Sequence, residues 1–143
     1  MIRAAITAQS IETQRLIDEV SSPDCGASAI FLGTVRSTNL GRSVNGIEYS
    51  AYTEMAEAEM RRILDEAITA FDIRAAVVEH RVGELTVGDV AIAAVVTHPH
   101  RGPALDAVRF IVDETKKRAP IWKRERYADG STEWVGAAEG VVE

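Results

Sequence analysis

The feature that most constrains this fold is an uninterrupted apolar segment, Val90 to Val96, in the second half of the chain. A strand that is apolar on both faces has to be covered on both faces, so we expect it at the centre of a sheet. Another strand pattern, residues 73–82, precedes it, and the link from Gly83 to Gly88 is short enough for an antiparallel pair. The sequence therefore predicts a sheet built around residues 89–97.

Helical periodicities surround this predicted sheet. Apolar residues at a 3.6-residue spacing predict a helix from Thr53 to Phe71. Pro103 suits the first turn of a further helix, which we expect to end at Arg118 because Pro120 cannot continue it. The remaining predictions are a short helix at 11–20, strands at 2–7, 26–36 and 46–52, a polar loop at 37–45, and a closing hairpin of 121–127 and 131–135. This order favours one α+β domain, residues 1–143, with about three helices on a mostly antiparallel sheet.

Composition narrows the class of protein. With 143 residues, 46% of them hydrophobic, the chain can bury a core without disulfides or metals. It has no run of 18 apolar residues, and its start alternates like a strand, so we expect a cytoplasmic protein that is not a membrane protein. The single cysteine, Cys25, lacks a disulfide or CxxC partner and is expected to be a small buried side chain. The net charge of −6 argues against general nucleic-acid binding.

Positive charge is concentrated in residues 101–126, which contain eight Lys and Arg against four Asp and Glu. Of the sixteen basic residues thirteen are arginine, and the three lysines, Lys116, Lys117 and Lys123, fall within eight residues. A lysine can act as an acid, a base or a nucleophile because its pKa falls readily on burial, whereas a guanidinium cannot do so near neutral pH. The cluster therefore predicts lysine chemistry, and the alternative is chance in an arginine-rich chain.

Helical spacing separates the lysines of the third helix. Lys116 shares the predicted inward face with Leu105 and Arg109, whereas Lys117 lines up with Asp113 for an exposed i,i+4 ion pair. An inward lysine at a helix C-terminus either lines a pocket or extends to solvent beside the helix dipole.

A turn at Pro120 is expected to fold Lys123 back towards Lys116. Two ammonium groups held close together lower each other's pKa, which makes at least one of them usable in acid–base catalysis near neutrality.

An anion site is predicted where the central strand meets the third helix. His100 and Arg101 lie at the helix N-terminus, where free N–H groups and the helix dipole favour a phosphate. Arg36 leaves the end of its own strand in a similar way, although an arginine at such a position is commonly only a surface residue. His80 and His98 lack ligand spacing with Cys or carboxylates, so we predict no metal, and the motifs GxSxG, GxxxxGK[ST], GxGxxG and HExxH are missing.

The most specific motif is a basic segment interrupted by proline, Lys116-x-Arg118-x-Pro120-x-Trp122-Lys123-Arg124-Glu125, preceded by His100-Arg101. Earlier motifs are Phe31 to Arg36, Asn39, Gly41, Val44, Glu48-Tyr49, Tyr52, Met55-Ala56, His80 to Leu85 and Gly88-Asp89. In order and spacing this set, which covers about residues 26–125, resembles the large, catalytic subunit of molybdopterin synthase.

The resemblance implies an α/β-hammerhead-like fold and a sulfurtransferase activity in molybdenum cofactor biosynthesis. The implied partner is a small ubiquitin-like sulfur-carrier subunit whose C-terminal Gly-Gly thiocarboxylate enters this subunit as an extended tail. The implied substrate is cyclic pyranopterin monophosphate, which receives two sulfurs to form the molybdopterin dithiolene without a metal or other cofactor. The implied assembly is a heterotetramer around a homodimer of large subunits.

The resemblance also implies roles for individual residues. Lys116 is expected to be the general acid or base nearest the thiocarboxylate and Lys123 a second catalytic cation, while Arg36, His100 and Arg101 would hold the pterin phosphate. The chain departs from the family pattern at Ser50, at Gly102-Pro103 and in the small-residue C-terminus after Trp134.

Two alternatives to the enzyme remain open at this stage. A module that binds the ubiquitin-like tail without catalysis would share the cationic groove but would not need lysine rather than arginine. A sensor of a phosphate metabolite would use Arg36, His100 and Arg101 without a protein partner.

Overall fold

The computed structural model describes residues 1–136. Its helices are α1 (Thr13–Val20), α2 (Thr53–Phe71) and α3 (Arg101–Arg118). Its strands are β1 (Ile2–Thr7), β2 (Ala27–Thr34), β3 (Thr38–Asn39), β4 (Arg42–Ala51), β5 (Ala75–Arg81), β6 (Gly83–Thr86), β7 (Val90–His98), β8 (Ile121–Tyr127) and β9 (Thr132–Gly136). None of the helices in this range is both long and apolar enough to cross a membrane.

The first sheet has the strand order β1-β5-β7-β2. The apolar strand β7 lies inside it, antiparallel to both β5 and β2, and is buried along nearly its whole length, which confirms the predicted central position. Only the pairing of β1 with β5 is parallel. Helices α2 and α3 cover one face through a core that includes Met60, Leu64 and Ile111, and α1 covers the other face. The α+β class with a mostly antiparallel sheet is confirmed.

The second sheet has the order β3-β4-β8-β9, and β6 pairs with β4 as well. It contains the predicted C-terminal hairpin of β8 and β9. The prediction of a polar loop at 37–45 is wrong, since β3 and the start of β4 form a hairpin with Leu40 and Gly41 as its two turn residues. Both turn residues have positive φ angles, as such a short hairpin requires. So short and polar a strand has no alternating pattern by which the sequence could reveal it.

Two smaller expectations also need correction. Helix α3 begins at Arg101 rather than at Pro103, with His100 in the N-cap position. The single cysteine, Cys25, is only half-buried, since it lies in the turn before β2 rather than in either core.

Candidate active site

Helix α3 carries Lys116 to the point where the two sheets meet. It follows β7 in the chain and packs back across β7 and β2. Its buried residues are Ala104, Ala107, Val108, Ile111, Val112 and Thr115. The prediction that Leu105 and Arg109 mark the buried face is therefore wrong, because both side chains are exposed. Lys116 is one turn beyond Val112 at the margin of the buried stripe, and it is exposed at the end of the helix.

The chain then turns at Pro120 into β8, which places Lys123 on the inner face of the second sheet. Ile121, Glu125 and Tyr127 share this face and are buried, while the Lys123 side chain keeps 28% of its exposure. The ammonium of Lys123 lies 3.3 Å from a carboxylate oxygen of Glu125. The predicted turn after α3 is confirmed, and the structure adds a carboxylate partner beside the lysine.

Glu125 is the most heavily bonded group of this site. Its Oε1 accepts hydrogen bonds from the Asn39 amide at 2.6 Å and from the Tyr127 hydroxyl at 2.7 Å. Burial raises the pKa of this carboxyl, but the Tyr127 hydrogen bond and the positive charge of Lys123 outweigh that effect, so the pKa of Glu125 is below its usual value. Glu125 is therefore a buried anion that holds the lysine in place.

Arg36 joins the same group through Asn39. A guanidinium N–H of Arg36 donates to the Asn39 side-chain oxygen at 3.4 Å, while the amide of Asn39 donates to Glu125. Thr34 pairs with Val90, so Arg36 follows β2 at the end of the first sheet where β7 begins. Arg36 and Lys123 are thus linked through Asn39 and Glu125.

Tyr49 and His80 form an aromatic pair beside Lys123. Tyr49 is the cross-strand partner of Lys123, and its ring meets the His80 ring edge-on, with 4.8 Å between centroids. Because cross-strand partners point to the same face of a sheet, Lys123 and Tyr49 are neighbours on the inner face. Burial and the nearby charge of Glu125 raise the pKa of Tyr49 to about 12. Tyr49 therefore stays protonated at neutral pH.

His80 is buried and neutral at neutral pH. Its Nδ1 lies 2.8 Å from the backbone oxygen of Arg81, and because that oxygen can only accept, Nδ1 carries the hydrogen. Burial is the main reason that the pKa of His80 falls to about 4, and the positive charge of Lys116 lowers it further. Lys116 is therefore close enough to His80 to act on its charge, while Lys123 adjoins Tyr49 on the neighbouring strand.

This arrangement supplies the elements of acid–base chemistry in a partly water-excluded site. Lys116 and Lys123 can donate protons and stabilise negative charge on a reacting atom, Arg36 adds a further cation, and Glu125 holds Lys123 in place. Within residues 1–136, no group of three or more His, Cys, Asp or Glu side chains is placed to hold a metal ion.

His100 and Arg101 lie elsewhere in the same chain. Fifteen residues of α3 separate Arg101 from Lys116, which is about 22 Å along the helix axis. The two residues line an open cleft of about 470 Å³ together with Gly26, Pro99 and Gly102. The structure therefore brings together Lys116, Lys123 and Arg36, and leaves His100 and Arg101 at the opposite end of the first sheet.

The other basic residues of the motif have structural partners. Arg118 contacts the carboxylates of Glu59, Glu66 and Glu114, and so ties α3 to α2. Arg124 pairs with Glu48 across β4 and β8 on the outer face of the second sheet.

Lys117 is an exposed ion-pair residue, as predicted, but its partner is Glu114 at 3.6 Å rather than Asp113. Asp113 pairs with Arg109 instead.

Several site residues received no role from the sequence analysis. Glu125, Tyr49, Asn39 and His80 all belong to the quoted motifs, but their contacts depend on the pairing of β4 with β8 and on the missed β3–β4 hairpin. His80 was considered only as a metal ligand. A sequence signal for the position of His80 was the following Arg81-Val82-Gly83, which marks the end of β5 next to the site.

Fold and site together describe an α+β protein with a candidate active site of two lysines and a buried carboxylate where its two sheets meet. Comparison with known proteins identifies the family. The family model described as "MoaE protein" matches residues 6–118.

Characterised relatives and a solved structure agree with that family model. The chain is 48% identical over 122 residues to the molybdopterin synthase catalytic subunit of Pyrococcus abyssi, covering 85% of this chain and 82% of the relative. It is 37% identical over 133 residues to the human molybdopterin synthase catalytic subunit, covering 93% of this chain and 70% of the relative. The crystal structure of molybdopterin synthase from Staphylococcus aureus superposes with a TM-score of 0.88 at 31% identity, covering 92% of this chain and 96% of that one.

A more distant structure shares the fold. It is a protein–protein complex of subunits 1 and 2 of molybdopterin-converting factor from Helicobacter pylori, with a TM-score of 0.73 at 20% identity, covering 95% of this chain and 90% of the matched one.

The chain belongs to the MoaE family, the catalytic subunits of molybdopterin synthase. It is thus a sulfur-transferring enzyme subunit of molybdenum cofactor biosynthesis, which confirms both the resemblance and the enzyme class inferred from sequence.

Proposed function

We propose that this subunit transfers two sulfurs, one after the other, from the C-terminal thiocarboxylate of a small ubiquitin-like carrier to cyclic pyranopterin monophosphate, forming the dithiolene in the cytoplasm. The observation that carries the proposal is the half-buried Lys123 held by Glu125 beside Tyr49 and His80, with Lys116 next to them. A thiocarboxylate and a cyclic phosphate are both anions, so a site with two ammonium groups attracts both reactants.

The lysines act on the charges and protons that change during the reaction. Sulfur attack on the pterin side chain opens the cyclic phosphate, and negative charge develops on the departing oxygen. Lys123, fixed by Glu125, stabilises that charge. The sulfur now bridges the pterin and the acyl carbon of the carrier, and water hydrolyses the acyl–sulfur bond, which leaves the sulfur on the pterin and a carboxylate on the carrier. Lys116 at the exposed margin donates and accepts the protons of this hydrolysis.

The partner proposal has support from the distant complex. In the Helicobacter pylori structure, the chain that shares this fold is one of two subunits of a molybdopterin-converting factor. By analogy, we assign the small carrier to this chain as its partner.

The phosphate residues require a second copy of the chain. His100 and Arg101 are about 22 Å from Lys116 in the same subunit, too far to hold one small substrate with it. In a symmetric dimer, one copy's His100 and Arg101 can face the other copy's Lys116, Lys123 and Arg36.

The edge strand β2 offers the contact for such a dimer. One side of β2 pairs with β7, and its other side is an edge of the sheet, where Ile30, Phe31 and Leu32 are exposed. His98 adjoins one end of β2 and Arg36 follows the other end. Antiparallel pairing of two β2 strands about a twofold axis therefore brings the histidine end of one copy to the lysine end of the other.

The first test of the proposed function is Lys116→Ala with thiocarboxylated carrier and pterin substrate. We expect loss of dithiolene formation while the fold and carrier binding persist, with Lys117→Ala as the matched control on the exposed side of the helix. Unchanged turnover in Lys116→Ala would refute the proposal. An active Lys116→Arg variant would favour the alternative of a binding module, since binding needs a cation but no exchangeable proton near neutral pH.

The second test asks whether the site is shared between copies. Lys123→Ala and Arg101→Ala chains are prepared separately, then unfolded and refolded as an equal mixture. If the site is shared, half of the dimers are mixed and each has one intact site, so activity returns to about a quarter of the unmodified level. If both residues act in the same copy, the mixture has no intact site and stays inactive.

A further inference from the structure

We propose that His98 is a positioning residue that fixes the main chain of His100 and Arg101 for the phosphate of the substrate. This inference rests on the proposed function, because it assumes that His100 and Arg101 bind that phosphate. It concerns a different residue, which belongs to neither the lysine group nor the predicted phosphate contacts.

His98 is buried and accepts a hydrogen bond from the main chain of His100. It is the last residue of β7, and its side chain is only 7% exposed. The backbone N–H of His100 donates to His98 Nδ1 at 2.8 Å, so Nδ1 must be an acceptor and a neutral His98 carries its hydrogen on Nε2. The two rings lie near each other, with centroids 5.9 Å apart.

This hydrogen bond acts at the N-cap of α3. The N-cap residue is His100, and it has no side-chain cap of its own. A helix N-terminus usually gains its geometry from a side-chain acceptor of this kind, since the first N–H groups have no partner within the helix. His98 provides an acceptor from two residues earlier, immediately before the helix begins.

A second contact holds the same turn from the neighbouring strand. The N–H of Gly26 donates to the backbone oxygen of Pro99 at 3.3 Å, between the two histidines in sequence. A Cβ added to Gly26 would lie 2.9 Å from that oxygen. The chain at position 26 therefore approaches the turn so closely that only glycine fits there. The backbone of Pro99 and His100 is therefore fixed from both sides of the cleft.

The consequence for function is a separation of roles. Arg101 supplies the charge that attracts the phosphate, and His98 determines where that charge and the first N–H groups of α3 point. Removing the acceptor leaves the cation in the cleft but loosens its position. Substrate binding is then weakened more than the reaction of the bound substrate is slowed.

The test compares three variants in steady-state sulfur transfer with cyclic pyranopterin monophosphate. In His98→Leu the acceptor is lost, and we expect a roughly tenfold rise in KM with kcat changed less than about threefold. In His98→Asn the side-chain oxygen replaces Nδ1 as acceptor, so KM should stay within about threefold of the unmodified enzyme. Arg101→Ala should raise KM irrespective of His98.

A direct readout accompanies the kinetics. Hydrogen exchange at the His100 amide should become faster in His98→Leu and return towards the original rate in His98→Asn. Faster exchange with an unchanged KM would reduce His98 to a structural residue and overturn the inference. If Arg101→Ala itself leaves KM unchanged, the proposed phosphate site is wrong, a failure distinct from that of His98.

Discussion

The two ends of the first sheet differ in how they hold their functional side chains. At the lysine end, long side chains are held by other side chains, with Glu125 between Lys123 and Asn39. At the histidine end, the main chain itself is held, through His98 and Gly26. The histidines of the two ends use the same ring nitrogen in opposite roles, since the Nδ1 of His80 donates a hydrogen bond whereas the Nδ1 of His98 accepts one. In the proposed mechanism, side chains move protons at the lysine end, whereas at the histidine end a fixed main chain keeps a charge in place.

Substitution at the lysine end should have the largest effect. Lys123→Ala removes a cation that contacts the reacting atoms in the proposed mechanism, so we expect kcat to fall by roughly 10² to 10⁴. The measurement is single-turnover dithiolene formation with thiocarboxylated carrier. Lys117→Ala should retain full activity, because Lys117 makes only an exposed ion pair with Glu114. Equal losses in both variants would show that charge in this segment, rather than the position of Lys123, is what matters.

If two copies share the site as proposed, separating them should disable both ends together. Ile30→Glu places a charge on the edge strand β2. We therefore expect light scattering to show a monomer, with half the molecular mass of the proposed dimer, and we expect little remaining sulfur transfer. Met55→Glu makes the same kind of change at an exposed position on α2 and should leave the mass unchanged. A dimer that persists in Ile30→Glu would move the contact away from β2.

A smaller effect is expected from Gly26→Ala at the histidine end. The added methyl group pushes against the Pro99 oxygen, and we expect a roughly tenfold rise in KM for the pterin substrate at nearly constant kcat. Gly102 lines the same cleft, but a Cβ there meets nothing within 4 Å, so Gly102→Ala should leave KM close to its original value. Equal KM values in the two variants would argue against a closely fitted turn.

The smallest effect on activity is expected from His80, whose contribution is to how the stability of the fold depends on pH. His80 has a pKa of about 4 in the folded chain against 6.5 as its ordinary value, so the unfolded chain binds more protons between these pH values. Stability therefore falls as the pH drops from about 6.5 towards 4, by on the order of 3 kcal/mol in all.

His80→Asn keeps a donor for the Arg81 carbonyl but cannot titrate. We expect its free energy of unfolding in urea to fall less between pH 7 and pH 5 than that of the unmodified chain. Carboxyl groups with lowered pKa values, such as Glu125, also destabilise the fold when they are protonated in acid, but this contribution is the same in the variant and in the unmodified chain. Parallel pH profiles would show that His80 is not the group responsible.

Much of the fold could be predicted because its strands and helices follow clear periods. The apolar β7 fixed the centre of the first sheet, and Pro120 fixed the turn that returns Lys123 to the end of α3. The division into two sheets could not be predicted, since it depends on β6 and β3, which are short and lack a repeating pattern.

The site was predictable by residue type but not by geometry. An excess of arginine made Lys116 and Lys123 conspicuous, and the motif around them pointed to the family. The burial of Glu125 and the neutral state of His80 depend on long-range packing, which a linear pattern does not contain. The buried face of α3 was also predicted wrongly, because Leu105 is apolar yet exposed.

The composition of β2 has a consequence beyond catalysis. Edge strands of monomeric proteins usually carry a lysine, a proline or another interruption that prevents unwanted association, and Ala27–Thr34 contains no charged residue and no proline. A subunit synthesised without a companion would expose a template for aggregation. The proposed pairing of two β2 strands would cover this edge as well as complete the site, and under it the yield of intact protein in the cell should depend on how quickly newly made chains meet.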